Sequence, residues 1–317
     1  MRYQDINAQT IDGWCREGWQ WGTPIPHEAY VAARQGQWDV YLTPTKPVPH
    51  AWFGPLAGKR LLGLASGGGQ QIPIFTALGA QCTVLDYSAA QCESERMVAR
   101  REGYDVEVLQ ADMTQPLPFA DATFDLIFHP VSNCYVREVE PIFRECWRVL
   151  KPGGVLLGGY DNGICYLFDD GPTLAHPLPY DPLADETLLR AALASGDGVQ
   201  FSHSVEEQIG GQLRAGFRLT DLYEDTTGYG VLQEYRLPLF GPPPGVKHPR
   251  PLYATPPPGG HPPGGAAFVL GGGHRRAVGP CRYFWSRPRS QAARSTIQVK
   301  NTSSGSSTVF LASPVAA

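Results

Sequence analysis

The sequence predicts an α/β protein built on a doubly wound, mostly parallel sheet, with an N-terminal arm and a C-terminal tail outside it. Short, nearly continuous apolar segments alternate with helical segments between residues 58 and 160, a pattern typical of parallel strands covered on both faces. The first apolar segment runs into a glycine-rich turn, and the composition changes sharply after residue 240. These observations divide the chain into an aromatic arm or lid over residues 1–57, a main domain over 58–240 and a tail over 241–317.

The net charge of −4 at pH 7 conceals two segments of opposite sign. Residues 1–240 carry 17 Lys and Arg against 30 Asp and Glu, a net charge of −13, whereas residues 241–317 carry 9 basic residues and no acidic one. A body at −13 repels phosphate backbones, so nucleic acid is a poor candidate for the main partner of the folded domain. The tail also holds 13 Pro and 11 Gly, a composition that predicts disorder.

Other features of the sequence bear on the compartment and on metal binding. No apolar run approaches the roughly 20 residues that cross a bilayer, so we expect no membrane partner. The N-terminus lacks the basic-then-apolar layout of a signal peptide. The seven cysteines are scattered with no Cys-x-x-Cys, which predicts reduced thiols rather than disulfides or a zinc site. We therefore expect a cytoplasmic protein without a metal.

The arm is rich in aromatic side chains and contains five of the seven tryptophans. Helices are predicted over Ile6–Gly18 and His27–Gln35, the second opened by Pro26. The prolines between residues 43 and 49 exclude a helix or a central strand, so this stretch is an extended loop. We expect the tryptophans to pack onto the main domain, and a lid over a ligand pocket is compatible with that packing.

The main domain contains five predicted strands separated by helices. The strands are Arg60–Leu64, Cys82–Asp86, Val106–Leu109, Phe124–Phe128 and Val155–Tyr160. The helices are Ile72–Leu78, ended by Gly79, then Ala89–Arg101, ended by Gly103, and Val139–Leu150. Ligands of such sheets bind beyond the carboxyl ends of the strands, which directs attention to the turns that follow each strand.

Beyond residue 160 the sequence predicts an insertion and two closing strands. The insertion spans residues 161–200 and contains one helix, Glu186–Ser195. A capping box from Ser204 to Glu207 opens a helix that ends at Ala215. The closing strands are Phe217–Tyr223 and Leu232–Leu239.

The turns after the first three strands carry the residues of an adenosine site. Gly67-Gly68-Gly69 lets backbone N–H groups approach a ligand beside a helix N-terminus, and Asp86 ends the next strand, where a carboxylate accepts hydrogen bonds from both ribose hydroxyls. Ile72 is too bulky for the third glycine of a nicotinamide-dinucleotide fingerprint, and Gln70-Gln71 stands where a P-loop needs Lys-Ser/Thr. Asp112-Met113, after the third strand, suits the amino group and the ring face of an adenine.

Over residues 58–160 the chain resembles the class I S-adenosylmethionine-dependent methyltransferases, in particular the small-molecule, type 11-like branch. The resemblance implies a Rossmann-like, seven-stranded sheet closed by an antiparallel hairpin, S-adenosyl-L-methionine as cofactor and a small-molecule methyl acceptor. Most relatives carry an acid at the position of Gly63 and a glycine at that of Ala65. The matching stretches are Leu61–Gly69, Val84–Ser88, Gln110–Met113, Phe124–Phe128 and Arg148–Gly154, the last reading R-V-L-K-P-G-G before a strand.

The resemblance also implies roles for individual residues. Asp86 takes the ribose hydroxyls, Tyr87 flanks the adenine, and Asp112 and Met113 contact it. The backbone at His129 faces the methionine end of the cofactor. The methionine and ribose portion lies along Ala65, Ser66, Gly67 and Gly69, with Gln70 or Gln71 as a substitute for the acid missing at Gly63.

Methyl transfer needs an acceptor aligned with the methyl group and a site that excludes water. Aromatic faces of the arm stabilise a sulfonium by about 0.5–2 kcal/mol. His129 is the candidate base for an acceptor that must lose a proton, and Ser132 and Asn133 are candidates for binding the acceptor. His129-Pro130-Val131-Ser132-Asn133 stands where nucleobase N-methyltransferases carry Asn/Asp-Pro-Pro-Tyr/Phe, so its sequence disfavours that activity.

Two other functions and two interpretations of the tail stay open. A non-catalytic protein that binds S-adenosylmethionine or its demethylated product fits the missing acid at Gly63. A nucleotide-sugar or dinucleotide oxidoreductase is disfavoured by Ile72 and by Lys151–Gly154. The tail is either a basic appendage that touches RNA, acidic proteins or a membrane surface, or a segment read out of frame, since it has no acidic residue.

Overall fold

The computed structural model describes residues 1–167, 174–226 and the strand 306–314, without the side chains of that strand or of residues 165 and 226. Five parallel strands form the centre of the sheet in the order β3-β2-β1-β4-β5. This order places β1 and β4 side by side, at the point where the connections change direction, and confirms the predicted doubly wound α/β fold. The strands are β1 Arg60–Leu64, β2 Gln81–Asp86, β3 Glu107–Gln110, β4 Phe124–His129 and β5 Leu150–Asp161.

Two antiparallel strands extend the sheet beyond β5. Strand β6, Phe217–Thr226, lies at the edge and pairs with β7, Ser306–Pro314, which in turn pairs with β5. Residues 306–314 belong to the segment predicted as a C-terminal tail, and here they pair with β5 and β6. The composition of 77 residues averages over a local run of Ser, Thr, Val and Phe that has high strand propensity. The predicted strand Leu232–Leu239 lies outside the described residues.

The helices lie close to their predicted positions. The arm contains α1, Tyr3–Arg16, and α2, His27–Arg34, and the capping box predicted at Ser204 forms, with Ser204 Oγ accepting from Glu207 N at 3.1 Å and Glu207 Oε2 accepting from Ser204 N at 2.8 Å. A turn of π-helix, Glu206–Gly210, follows that box. The other helices are α3 Gln71–Ala77, α4 Ala89–Glu102, α5 Glu140–Val149, α6 Glu186–Ser195 and α7 Gly211–Ala215.

The sheet separates two apolar cores because alternate residues of each strand point to opposite faces. In β1, Leu62 and Leu64 pack with α5, while Leu61 packs with α3. The second core includes arm residues, among them Leu42 and Phe53, which confirms that the arm packs onto the main domain. No helix among the described residues is long and apolar enough to cross a membrane.

The arm also reaches the insertion on the far side of the sheet. Trp14 and Trp19 form a third apolar cluster with Val131 and Tyr166. The side chain of Asn7 donates to Val199 O at 2.9 Å and accepts from Val199 N at 2.6 Å. Helix α1 is thereby held across the carboxyl ends of the strands, where the predicted site lies.

Candidate functional site

A cavity opens at the carboxyl ends of β1, β2, β3 and β4. Its floor comes from the turns after these strands, and its roof comes from α1 and from arm residues such as Trp21 and Tyr41. This is the position where doubly wound sheets bind ligands. Nine of the predicted site residues line it: Ala65, Ser66, Gly67, Gln70, Asp86, Tyr87, Asp112, Met113 and Ser132.

The turn after β1 has no space for larger side chains. A Cβ on Gly67 would lie 2.9 Å from Gln91 Cβ and 3.1 Å from Asp86 Oδ2. Gly68 and Gly69 have φ angles of +93° and +69°, a region that disfavours side chains. The glycines are therefore required by the path of the turn and bring its backbone to the cavity wall.

Asp86 is the central polar group of the cavity. Its Oδ2 accepts from Gly67 N and its Oδ1 accepts from Ser88 N, each at 3.0 Å. Burial raises the pKa of this carboxyl, and the backbone hydrogen bonds oppose that shift. Because a carboxylate oxygen accepts more than one hydrogen bond, each oxygen keeps acceptor capacity for a ligand in the cavity.

Asp112 and Met113 lie at the β3 end of the cavity, as predicted. Asp112 Oδ1 accepts from Thr114 N at 2.9 Å, which fixes the direction of the carboxylate. Its Oδ2 lies 3.3 Å from Arg2 Nη1. Met113 is buried and lines the cavity beside it. An acceptor oxygen and an apolar surface therefore stand next to each other.

The N-terminal end of α1 is tied to this part of the site. Arg2 Nη2 donates to Tyr87 Oη at 2.6 Å, and Tyr87 Oη donates to Asp5 Oδ1 at 2.7 Å. The hydrogen bond with Tyr87 lowers the pKa of Asp5. We call this set, Arg2, Asp5, Tyr87 and Asp112, the N-terminal latch. The sequence alone did not indicate it, because its members are up to 110 residues apart.

His129 lies behind the cavity wall and does not line it. Its Nδ1 lies 2.9 Å from Leu64 O and its Nε2 lies 2.8 Å from Asn133 Oδ1, and both of these oxygens accept hydrogen bonds. Burial lowers the pKa of His129, and the hydrogen bonds to these two oxygens oppose that shift. Both nitrogens are thus engaged within the protein, which argues against a base role for this ring.

Ser132, Asn133 and Gly69 divide between the cavity wall and the layer that supports it. Ser132 lines the cavity, and its Oγ donates to Pro130 O at 2.9 Å. Asn133 is buried behind the wall and donates from Nδ2 to Gln208 Oε1 at 3.1 Å. Gly69 also lies behind the wall, and its N–H donates to Glu95 Oε2 at 3.0 Å.

Glu95 is a functional candidate that the sequence analysis missed. This α4 side chain is fully buried, and its Oε1 accepts from Tyr104 Oη at 3.0 Å while its Oε2 holds Gly69. Burial raises its pKa to about 7. A glutamate among the other charged residues of α4 gives no sequence signal of burial, so only the folded structure identifies it.

The position of Gly63 is filled from the neighbouring helix. A Cβ on Gly63 would lie 2.5 Å from Ile72 Cδ1. An acidic side chain has no space here unless Ile72 moves, so the glycine and the isoleucine form a matched pair. One predicted substitute, Gln70, donates from Nε2 to Gln20 O at 2.7 Å and to Thr23 O at 2.8 Å. Its amide therefore ties the glycine turn to the arm.

Charge is scarce along the cavity. Among the described residues that line it, the only charged side chains are Asp86 and Asp112. The described part of the chain also contains no group of three or more His, Cys, Asp or Glu that could hold a metal ion. The site thus combines two carboxylates with a largely apolar and aromatic wall.

Comparisons with known proteins match this region. A sequence model described as a methyltransferase domain matches residues 62–158. The chain is 38% identical over 237 residues to YbaJ, an uncharacterized methyltransferase of Bacillus subtilis strain 168, covering 72% of this chain and 92% of the relative. It is 40% identical over 101 residues to a demethylmenaquinone methyltransferase of Clavibacter sepedonicus, covering 32% and 40% of the two.

Solved structures include similar folds. An S-adenosylmethionine dependent methyltransferase from Mesorhizobium loti has a TM-score of 0.45 and 21% sequence identity, covering 55% of this chain and 80% of that chain. The YcgJ protein of Bacillus subtilis has a TM-score of 0.40 at 22% identity, covering 54% and 66%.

Proposed function

The chain belongs to the class I S-adenosylmethionine-dependent methyltransferases, and on that basis we propose that it methylates a small-molecule acceptor by in-line displacement. When bound, S-adenosylmethionine supplies an electrophilic methyl group on its sulfonium. The observation that carries the proposal is the buried Asp86 carboxylate, which faces the cavity between the glycine turn and the Asp112–Met113 turn. A bound adenosine needs a hydrogen-bond acceptor for its ribose hydroxyls at this position.

The residues present fit such a cofactor. The glycine turn leaves no room for a Cβ at Gly67, so only the backbone approaches the cavity there. Two buried polar atoms of cavity-lining residues, Ser66 Oγ and Gln91 Oε1, have no hydrogen-bond partner in the structure. Buried polar atoms are seldom left in this condition. Cofactor hydroxyl or ammonium groups would satisfy both.

We assign the cofactor-binding roles along the cavity from the adenine end to the methionine end. Asp86 accepts from the ribose hydroxyls, Asp112 accepts from the adenine amino group, and Met113 and Tyr87 contact the adenine ring. Gly69 acts through the bend that it allows rather than through its N–H, which Glu95 occupies. The methionine and ribose portion lies along Ala65, Ser66, Gly67 and Gln70.

We place the acceptor on the opposite side of the cavity, against Ser132 and the aromatic roof. Ser132 orients the acceptor through its Oγ, which donates to Pro130 O and still accepts a hydrogen bond. His129 and Asn133 hold the turn after β4 in place and are positioning residues. The surrounding aromatic side chains exclude water and stabilise the sulfonium by about 0.5–2 kcal/mol. The protein thus aligns the two reactants and contributes no covalent step.

The direct test is calorimetry on the full chain with S-adenosylmethionine, with NAD as the matched control. We expect saturable binding of the first and none of the second. Transfer is then measured as release of S-adenosylhomocysteine in a screen of uncharged small-molecule acceptors. Absence of heat with S-adenosylmethionine would refute the proposal, whatever the acceptor screen gives.

A second candidate function is a non-catalytic sensor of S-adenosylmethionine or S-adenosylhomocysteine. The Gly63–Ile72 pair favours it, because Ile72 fills the position at which most relatives have an acid. The two functions differ in one measurement. A sensor binds both compounds and releases no S-adenosylhomocysteine with any acceptor of a broad panel.

A further inference from the structure

A second concave surface adjoins the cavity on the side of the arm. It is a groove whose walls come from residues 20–25, α2, residues 37–41 and the start of α3. Ile25, Ala32, Trp38 and Ile74 supply much of its apolar lining. We call it the arm groove.

The arm groove and the cavity share one wall. Four side chains line both spaces: Trp21, Tyr41, Gln70 and Gln71. Three hydrogen bonds hold this wall together, from Gln70 Nε2 to Gln20 O and Thr23 O, and from Tyr41 N to Gln71 Oε1 at 3.3 Å. Glutamine side chains and the backbone of the arm therefore form this wall together.

The charges of the arm groove restrict what it can hold. Among its described lining residues the only charged side chain is Asp39, which lies 3.3 Å from His50 Nε2. A carboxylate, phosphate or sulfonate buried here would find no lysine or arginine to pair with, and burial of an unpaired charge is costly. Uncharged glutamine and threonine groups supply the remaining polar atoms. An uncharged ring or hydrocarbon body fits this lining.

We infer that the methyl acceptor is an uncharged, elongated apolar molecule whose body lies in the arm groove. Its reactive end passes the Trp21–Gln71 wall and meets the methyl group in the cavity. The inference rests on the proposed function and adds the substrate class to it. The wall shared with the cofactor cavity, and the absence of cationic side chains from the described lining of both spaces, favour this occupant over an anionic metabolite.

The inference is tested with two fluorescent probes that share one ring system. N-Phenyl-1-naphthylamine is neutral, and 8-anilinonaphthalene-1-sulfonate adds a sulfonate to the same rings. The full chain should bind the neutral probe about tenfold more tightly, because the sulfonate has no partner in the groove. Saturating S-adenosylhomocysteine should leave the neutral probe bound, because S-adenosylhomocysteine occupies the cavity and the probe occupies the groove.

Substitutions on α2 locate the probe. Ala32→Gln and Ala29→Gln each place a longer, polar side chain in the groove. Each should lower the affinity for the neutral probe by about tenfold. Val31→Gln, an exposed position on the same helix that does not line the groove, is the matched control. The S-adenosylmethionine affinity of all three variants should equal that of the unmodified chain, which also shows that they are folded.

Three results would overturn the inference. They are equal affinities for the two probes, displacement of the neutral probe by S-adenosylhomocysteine, and an unchanged affinity for the neutral probe in both groove variants. Failure of the unmodified chain to bind S-adenosylmethionine is a separate result. It would refute the proposed function, whether or not the neutral probe binds in the groove.

Discussion

At the scale of single residues, the site depends on buried carboxylates that hold backbone N–H groups. Glu95 holds Gly69, and Asp86 holds Gly67 and Ser88. The sequence predicted Asp86 because a strand end followed by an acid is a local pattern. It could not predict Glu95, because the contact with Gly69 depends on how α4 packs over the turn.

Glu95→Gln should make the stability of the protein less dependent on pH. Burial raises the folded-state pKa of Glu95 to about 7, above its ordinary value. The protonated carboxyl therefore contributes to the free energy of unfolding at low pH, and this contribution is lost as the pH rises toward 7. A glutamine accepts from Gly69 and donates to Tyr104 without ionising. The variant should therefore be more stable at pH 8.5, on the order of 1–3 kcal/mol, and similar at pH 4.5.

Urea denaturation at the two pH values measures this difference. The other groups that face Glu95 and Tyr104 are Asp86, Cys82 and Tyr30, and they are unchanged in the variant. Glu93→Gln, an exposed position on the same helix, is the control and should show no such gain. Equal stability of Glu95→Gln and the unmodified chain at pH 8.5 would show that ionising the buried Glu95 carboxyl does not destabilise the protein.

His129 should remain neutral across the physiological range. Burial lowers its pKa, and its Nδ1 lies 2.9 Å from Leu64 O. Histidine-selective ¹⁵N NMR between pH 5.5 and 8 should show a neutral ring with no titration. A ring that titrates near pH 6.5 would restore His129 as a candidate base.

At the scale of the elements, most boundaries follow from local sequence. The prediction for β1, Arg60–Leu64, is confirmed to the residue, as is that for α6, Glu186–Ser195, since apolar runs and caps are local signals. Strand β5 begins at Leu150 rather than at the predicted Val155, and it includes the Lys-Pro-Gly-Gly stretch. Pairing of Leu150 with Phe124 of the neighbouring strand supplies that extension, and pairing is not visible in sequence.

Helix α1 should control how fast the cofactor leaves. Arg2 joins α1 to Tyr87 and Asp112 at the adenine end of the cavity. Arg2→Ala removes these contacts and should raise the dissociation rate of S-adenosylmethionine about two- to fivefold, with little change in stability, because exposed ion pairs contribute little to it. Stopped-flow fluorescence of the arm tryptophans measures the rate.

Arg16→Ala, at the other end of α1, is the control and should leave the dissociation rate unchanged. Equal rates for Arg2→Ala and Arg16→Ala would mean that the N-terminal latch does not close the cavity.

At the scale of the whole molecule, the arm and the main domain should unfold as one unit. Phe53 of the arm is buried, with its ring centroid 5.6 Å from that of Phe75 in α3, which in turn lies 5.0 Å from Phe128 in β4. Phe53→Ala leaves a cavity in this shared core and should lower the free energy of unfolding by about 3–5 kcal/mol.

Val31→Ala, exposed on α2, is the control for that change and should have a much smaller effect. Denaturation followed by tryptophan fluorescence, which reports mainly on the arm, and by circular dichroism, which reports on the whole chain, should give coincident transitions. Separate transitions would show that the arm is an independent unit and would weaken the case for a shared cavity roof.

The central claim is that S-adenosylmethionine binds at the carboxyl ends of the strands, with its ribose on Asp86. Isothermal calorimetry of the full chain with S-adenosylmethionine, compared between the unmodified protein and Asp86→Ala, tests it most directly. Asp121→Ala, an exposed acid far along the chain, is the control. The account predicts that Asp86→Ala weakens binding by at least about tenfold, since hydrogen bonds to a charged group contribute about 1.5–3 kcal/mol. Unchanged affinity in Asp86→Ala would contradict it.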